Sequence, residues 1–377
     1  MLKNKIIKRI LKKIFSPFLS FINKIIMKKN IILIYSNSNG LRDNNYFIYK
    51  ELLQEKIEEK NKIYIAVEKK FIENQKTKNI KYITLYKSIS IFLKAKYVFY
   101  CFGQLPINPS KEQTVVHLTH GLPFKKDGLL IEANQSIGKI DYFTFVLTSS
   151  EFNKPYIAQN FGCNTDKVIL GAFPRLDEFD FSIKEENIIL WTPTFRSSTY
   201  LGMNDSDYNE LLPIFGNNIS LANELLKKYN VKVIVKLHPL QDLKNYKNYI
   251  YENIEIYSND DFIKKYGDFY YFMNRTSALI SDYSSTFLDY LILNRPIALT
   301  IDDAEAYNKN RGLLFENDAR FENAVYKIKD INDFELFLKR YRADEKRSER
   351  NLLNQLINPN FEEKKNAKNL LKKLNII

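Results

Sequence analysis

Histidine, cysteine and tryptophan are almost missing from this chain, with three, two and one residues in 377. Cys101 and Cys163 stand far apart in apolar surroundings and form no CxxC or related ligand spacing. That excludes a cysteine zinc site and a disulfide framework, and leads us to expect buried, reduced thiols in a cytoplasmic protein. Several signatures are absent: GxxxxGK[ST], GxGxxG after a strand, HExxH and GxSxG. Phosphate-loop kinases, dinucleotide dehydrogenases, zincins and α/β-hydrolases therefore lose their basis. No stretch beyond the N-terminus approaches the roughly 20 apolar residues of a spanning helix.

What is present is ample material for packed cores: 45% hydrophobic and 14% aromatic residues. Disorder is excluded, and the length points to two domains rather than one core. The net charge of +13 suggests nucleic acid until its distribution is read. Residues 1–29 hold nine basic residues and no acidic one, and taking those nine from +13 leaves +4 for residues 30–377. The charge belongs to the N-terminal segment, so no nucleic-acid partner is expected. In that segment Ile6, Ile7, Ile10, Leu11, Ile14, Phe15, Phe18, Leu19, Ile22, Ile25 and Ile26 recur at helical spacing, with lysines on the other face. A basic amphipathic helix of this kind lies in the headgroup plane of an anionic bilayer. Docking on the protein's own body is the alternative, and Pro17 is expected to kink or split the helix. A signal peptide fits poorly, because Asn23 and Lys24 interrupt the apolar run and no small-residue cleavage site follows.

Downstream, short β-rich runs alternate with helical stretches. The candidate strands are Ile31–Tyr35, Lys62–Val67, Tyr97–Cys101, Thr114–Leu118 and Phe143–Thr148, then Ile188–Thr192, Val231–Leu237, Ala278–Ser281 and Pro296–Ile301. Helical segments such as Tyr46–Glu59 and Leu221–Tyr229 separate them. Near-continuous apolar strands joined by helices predict parallel sheets of βαβ units. A charged stretch at Asp177–Glu186 divides the two series, giving doubly wound α/β domains near 30–180 and 185–345. A charged helical segment with a break at Pro359 follows at 346–377. In such sheets ligands bind beyond the carboxyl ends of the strands.

Polar residues at those ends are the candidates. His117 lies inside a strand run, where a satisfied core histidine is the plainer role. His120 opens His120-Gly121-Leu122-Pro123-Phe124-Lys125-Lys126-Asp127-Gly128, which puts an imidazole and two ammonium groups on one turn. A base for a hydroxyl and charge for phosphate need that combination; a turn with two solvated lysines fits the same residues. His238 ends the Val231–Leu237 run before Pro239. Leu279–Tyr290 reads as a buried strand, a turn carrying Asp282, Ser284, Ser285 and Thr286, and a helix that includes Asp289. A helix start with added hydroxyls suits phosphate, and it also suits an ordinary serine cap. Arg175, in Gly171–Asp177, and Thr194 and Arg196, in Trp191–Arg196, stand where a cleft would be lined. Trp191 itself reads as core.

Five of these segments resemble, in order, motifs of the CDP-glycerol glycerophosphotransferase family, the teichoic-acid primases and polymerases. His120–Gly128 is similar to a His-Gly-Thr-Pro-x-Lys-Lys-x-Gly motif, with Leu122 in place of Thr. Gly171–Asp177 resembles Gly-x-Pro-Arg-x-Asp with one extra residue, and Thr192–Arg196 resembles Ala-Pro-Thr-[Trp/Phe]-Arg. Lys236–Pro239 matches a strand-His-Pro motif, and Ser281–Ser285 with Asp289 resembles Thr-Asp-Tyr-Ser-Ser followed by Asp. The resemblance implies a GT-B fold of two Rossmann-like domains with the active site between them. It implies His120 as the base, with His238, Arg175, Ser284 and Ser285 on donor phosphates and Asp282 organising their loop. Lys125 or Lys126 would contact phosphate.

The reaction so implied moves a phospho-polyol, glycerol phosphate foremost, from a CDP-activated donor to a hydroxyl of a lipid-linked or polysaccharide acceptor, releasing CMP. It would run on the cytoplasmic face of the membrane. No cofactor is expected, although Asp302 and Asp303 follow a strand and leave Mg²⁺ conceivable. Two other readings stay open. One is a GT-B glycosyltransferase using a nucleotide sugar in capsule or lipooligosaccharide synthesis. The other is a non-catalytic polyanion-binding protein at the membrane surface.

Overall fold

The computed structural model describes residues 15–37, 40–72, 78–122, 124–131, 134–135, 140–194, 197–198, 203–204, 212, 214–215, 218–238, 251–302, 304–305, 312–315 and 317–377. The chain forms two units. One comprises residues 1–122, 128–177 and 360–377, the other 123–127 and 178–359.

In the first unit β1 (Lys29–Asn37), β2 (Lys62–Val67), β3 (Ile80–Thr84), β4 (Ala95–Tyr100), β5 (Thr114–His117), β6 (Phe145–Thr148) and β7 (Val168–Leu170) build one sheet. Its order is β3-β2-β1-β4-β5-β6-β7, and every pairing is parallel. The strands are Ile-, Val- and Tyr-rich, and their buried side chains (Leu33, Val98, Tyr100 and Val115 among them) pack under the helices. Parallel strands covered on both faces require such runs.

In the second unit β8 (Ile188–Trp191) precedes a two-stranded hairpin of β9 (Ser197–Ser198) and β10 (Met203–Asn204). Then follow β11 (Lys232–Lys236), β12 (Ile254–Tyr257), β13 (Ala278–Ser281), β14 (Ile297–Thr300) and β15 (Tyr326–Ile328). The main sheet runs β12-β11-β8-β13-β14-β15, again wholly parallel. Trp191 takes its expected core place, packed edge-on against Phe215 at 5.2 Å. The fold is α/β of the GT-B class, two doubly wound sheets. In each, the strand order reverses beside the first strand, between β1 and β4 and between β8 and β13. Those are the positions where such sheets bind ligands.

Besides the short hairpin of β9 and β10, four strands went unpredicted: β3, β7, β12 and β15. All four are the outermost strands of the two sheets. Edge strands are covered on fewer sides, so their apolar runs are shorter and mixed with exposed residues, as in the Ile-Lys-Tyr-Ile-Thr of β3.

The C-terminal residues divide between the units. The helix Arg347–Ile357 belongs to the second, while Asn366–Lys373 belongs to the first. Asp177 fixes the latter: its carboxylate accepts the Asn366 N–H at 2.7 Å and the Ala367 N–H at 3.0 Å, capping that helix. Cys101 is buried as expected, but Cys163 is only half-buried. Burial raises both thiols, Cys163 to about 11, so neither is a thiolate near neutral pH.

Residues 15–25 are one helix, unbroken at Pro17. Its buried side is polar, while the apolar positions of the expected stripe that fall within it stay exposed or half-buried on the other side. Ser16, Ser20 and Asn23 are buried, whereas Phe15, Phe18, Phe21 and Ile25 are exposed. Asn23 Nδ2 donates to Asn108 O and to Gln113 Oε1, both at 2.9 Å, and Ser20 Oγ accepts the Asn108 N–H at 2.9 Å. Residues 1–14, half of the expected stripe, lie outside the described residues.

Gly128 begins a 3₁₀ turn at a φ of +50°, against the helix Lys154–Phe161. A Cβ there would stand 2.6 Å from the Asn160 carbonyl oxygen. Neither backbone can yield, so Gly128→Ala is expected to cost about 2–4 kcal/mol of stability through strain and overpacking. A urea melt checks this, and an unchanged midpoint would contradict it.

Candidate active site

At the carboxyl end of β5 the chain passes through Leu118 and Thr119 to His120. Thr119 is buried and takes a φ of +56°, a left-handed conformation that is strained for a β-branched residue. His120 is exposed. Its ring stacks on Phe102, just past β4, with centroids 5.6 Å apart and planes 26° apart. The Arg42 guanidinium, just past β1, lies 5.1 Å from the same Phe102 ring. One aromatic platform at the switch point thus carries an imidazole and holds a cation close by.

Beneath it, Asn44 ties three segments together. Its Nδ2 donates to Thr119 O at 3.0 Å, and its Oδ1 accepts the Arg175 N–H at 3.0 Å. Arg175 is 1% exposed, and its Nη1 lies 3.1 Å from Asp43 Oδ1. Its guanidinium pairs with Asp43, and through the Arg175 N–H the Pro174–Glu178 turn braces the loop that leads to His120. A buried guanidinium needs a paired carboxylate, since an unpaired charge there is costly.

His117 is buried as expected and stays neutral at ordinary pH. Burial, reinforced by the charge of His120, brings its pKa down to about 3.

The other candidates fall in the second unit. There the switch point is closed by Asp282, 1% exposed, at the carboxyl end of β13. Asp282 Oδ2 accepts the Thr194 N–H at 2.7 Å, and Oδ1 accepts the Thr194 hydroxyl. One residue earlier, Ser281 Oγ accepts from the Thr192 hydroxyl at 3.1 Å. Asp282 therefore holds the loop after β8 through both its carboxylate oxygens. Arg196 lies outside the described residues, as do Pro239 and Asp303.

Past Asp282, Ser284, Ser285 and Thr286 are half-buried, with Ser284 Oγ 2.9 Å from Thr286 Oγ1. The helix they open is short, Thr286–Tyr290, and continues as a 3₁₀ turn. Its dipole is correspondingly small, so an anion at this point would rely chiefly on the hydroxyls. Asp289 points the other way: it is buried and accepts the Tyr270 hydroxyl at 2.9 Å.

Residues 124–127 belong to this unit. Lys126 N donates to Gly312 O at 3.0 Å, and Leu314 N donates to Phe124 O at 3.1 Å. Phe124 packs edge-on against Phe287 at 4.8 Å, one residue beyond Thr286. The motif read as one turn thus divides, with His120 in the first unit and Lys125 and Lys126 in the second, paired with Gly312 and Leu313. His238 follows β11, half-buried, two residues after Lys236, whose Nζ lies 4.8 Å from the Phe269 ring. Among the described residues, no three His, Cys, Asp or Glu side chains gather as metal ligands.

Sequence reasoning missed Arg42, Asn44, Phe102 and Thr119. For Arg42 and Asn44 the available signal was the Asn-rich, Gly-containing tract Ser36–Asn45 at the end of β1. Two cavities of about 500 and 480 Å³ open at the amino ends of the strands, around Lys29 and Lys62 in one unit and Ser277 and Arg295 in the other. The candidate residues lie at the opposite, carboxyl ends, where the sheet topology places ligands.

A family model described as CDP-glycerol:poly(glycerophosphate) glycerophosphotransferase matches residues 17–375. The teichoic acid ribitol-phosphate polymerase TarL of Staphylococcus aureus (strain NCTC 8325 / PS 47) is 26% identical over 310 residues, 75% of this chain and 52% of its own. The teichoic acid glycerol-phosphate primase of Bacillus subtilis (strain 168) is 25% identical over 258 residues, 62% of each chain. The chain spans about half to three-fifths the length of these curated relatives. The solved wall teichoic acid polymerase TagF has a TM-score of 0.71 at 15% identity, covering 99% of this chain and 97% of that one.

Proposed function

The chain belongs to the CDP-glycerol:poly(glycerophosphate) glycerophosphotransferase family, and from that premise we propose that it transfers a phospho-polyol from a CDP-activated donor to an acceptor hydroxyl. The observation that carries the reading is His120, an exposed imidazole held on Phe102 at the end of β5. His120 takes the proton of the acceptor hydroxyl as its oxygen attacks the β-phosphorus of the donor. The bond from that phosphorus to the oxygen bridging to CMP breaks, and CMP leaves with the electron pair. Lys125, Lys126, His238 and the hydroxyls of Ser284, Ser285 and Thr286 hold the phosphates and offset the developing charge. Asp282 acts through Thr194 to keep that donor loop in shape. Positioning and electrostatics supply the rate, as in phosphoryl transfer generally.

The donor is CDP-glycerol or CDP-ribitol, and the acceptor is a lipid-linked or polysaccharide chain. The test offers the purified protein CDP-glycerol, CDP-ribitol, UDP-GlcNAc and CMP-sialic acid, each with a lipid-linked acceptor. CMP from a CDP-polyol supports the reading. UDP from UDP-GlcNAc, or CMP from the sialic acid donor alone, replaces it with sugar transfer.

A lipid-bound acceptor calls for an enzyme at the cytoplasmic membrane surface. No described helix is long and apolar enough to cross a membrane. What supports surface binding is the outward face of residues 15–25, with Phe15, Phe18, Phe21 and Ile25 exposed beside Lys24. Phe18→Ser with Phe21→Ser is expected to weaken binding to anionic phosphatidylglycerol vesicles by about tenfold or more, given the apolar area lost. Unchanged cosedimentation would dismiss this face as the membrane contact.

A further inference from the structure

Among the three histidines, His117 has no part in the chemistry proposed above, yet it occupies an unusual place. Its ring is enclosed by Phe161, Phe143 and Tyr100, with centroids at 4.8, 5.9 and 6.1 Å. A phenylalanine would fill such a cage and avoid burying two ring nitrogens. What an imidazole adds is one acceptor: Nδ1 receives the Thr119 N–H at 3.1 Å.

We propose that His117 is a positioning residue for His120, its Nδ1 locking the left-handed Thr119 backbone from which the His120 side chain is presented. The proposal rests on the reading of His120 as the base.

Thr119 is the last residue before His120, and its φ of +56° is strained for a threonine. Such a conformation persists only where the surroundings fix it. Here side chains hold both its backbone polar groups. His117 takes the N–H, while the carbonyl accepts Asn44 Nδ2 at 3.0 Å and the Cys101 thiol at 3.1 Å. Asn44 is itself held by the Arg175 N–H. The His117 bond is the local member of this set, two residues from the strained position and three from His120. Accepting an N–H at Nδ1 leaves the imidazole proton on Nε2. Burial keeps the ring neutral well below physiological pH, so the acceptor persists over the whole range in which His120 changes charge. The ring of His120 has its own support in Phe102. Backbone and ring are thus steadied separately, which a base reaching for an acceptor proton requires, since an error of about 1 Å costs on the order of 100-fold.

Two variants separate acceptor from packing. His117→Phe keeps the ring in its cage and deletes the acceptor; His117→Asn keeps an acceptor at the δ position and loses ring area. With CDP-glycerol as donor, His117→Phe is expected to lower kcat by about 10- to 100-fold. Its KM for the donor should stay within about twofold, because donor contacts are untouched. His117→Asn is expected to recover most of the lost kcat despite its poorer packing. Equal kcat in His117→Phe and wild type, or Asn performing no better than Phe, overturns the proposal.

A second arm needs no turnover. Long-range ¹H–¹⁵N spectra, assigned with single-histidine replacements, are expected to show His117 Nδ1 unprotonated between about pH 5 and 9 while His120 titrates. In His117→Phe the titration midpoint of His120 should move. A protonated Nδ1, or an unmoved His120, overturns the proposal even if His117→Phe folds poorly or the wild type releases no CMP. Absence of CMP would by itself count against the base reading alone.

Discussion

His120→Ala is expected to lower CMP release from the productive CDP-polyol by about 10²- to 10⁴-fold, the usual contribution of a positioned general base. The loss should fall on kcat. The side chain is exposed, so its removal opens no core cavity, and the thermal midpoint should hardly change. KM for the donor should stay near wild type, since the lysines and hydroxyls proposed to hold donor phosphate are untouched. Steady-state kinetics with a melting curve on the same sample checks both halves. A large drop in midpoint would assign His120 to the fold rather than to the reaction. An unchanged kcat would remove it from the mechanism.

The second large effect is expected at Asp282. In Asp282→Ala the Thr194 N–H and hydroxyl lose their acceptors inside a buried turn. Each orphaned polar group costs about 1–3 kcal/mol, so a stability loss of roughly 3–5 kcal/mol is expected from the pair. Thr194 would no longer be held against β13, and the loop after β8 would lose its shape. The consequence for activity is a raised donor KM together with a lowered kcat, unlike the pattern at His120. Thr194→Val, which deletes the hydroxyl and keeps the N–H bond, should reproduce only part of the effect. If Asp282→Ala melts like wild type and loses only kcat, the carboxylate serves the chemistry directly and the clamp is incidental.

What could be read from the sequence follows the physics of burial. Central strands such as Lys62–Val67 and Ala278–Ser281 were legible to the residue, because a strand covered on both faces must be apolar throughout. Ile80–Thr84 and Ile254–Tyr257 were not, because these edge strands are short and only partly buried, with Lys81 and Glu255 breaking their apolar runs. At the site, His120 stood out through its motif. Arg175 stood out equally, and in the structure its guanidinium pairs with Asp43. An arginine in a Gly- and Pro-containing turn looks the same in sequence whether its partner is a phosphate or a carboxylate 132 residues away. Phe102 carries no local signal, and the Asn-rich tract that holds Arg42 and Asn44 does not show what they touch. They matter because the order β1-β4-β5 sets three strand ends side by side, and that adjacency is a property of the sheet. Lys125 and Lys126 show the converse: contiguous with His120 in the chain, they fold into the other unit.

The central claim is that the acceptor oxygen attacks phosphorus rather than carbon, and the nucleotide released from CDP-glycerol reports this directly. Transfer of glycerol phosphate breaks the bond between the β-phosphorus and the bridging oxygen, leaving CMP. Transfer of the polyol through its carbon, as a sugar is transferred, would break the carbon–oxygen bond of the glycerol ester and leave CDP, which keeps that oxygen. The measurement is chromatographic separation of CMP and CDP during turnover with a lipid-linked acceptor, with ³¹P spectra of the product. The account predicts CMP in step with a new phosphodiester on the acceptor. CDP with no new phosphodiester, or CMP matched by free glycerol phosphate whether or not acceptor is present, would contradict it.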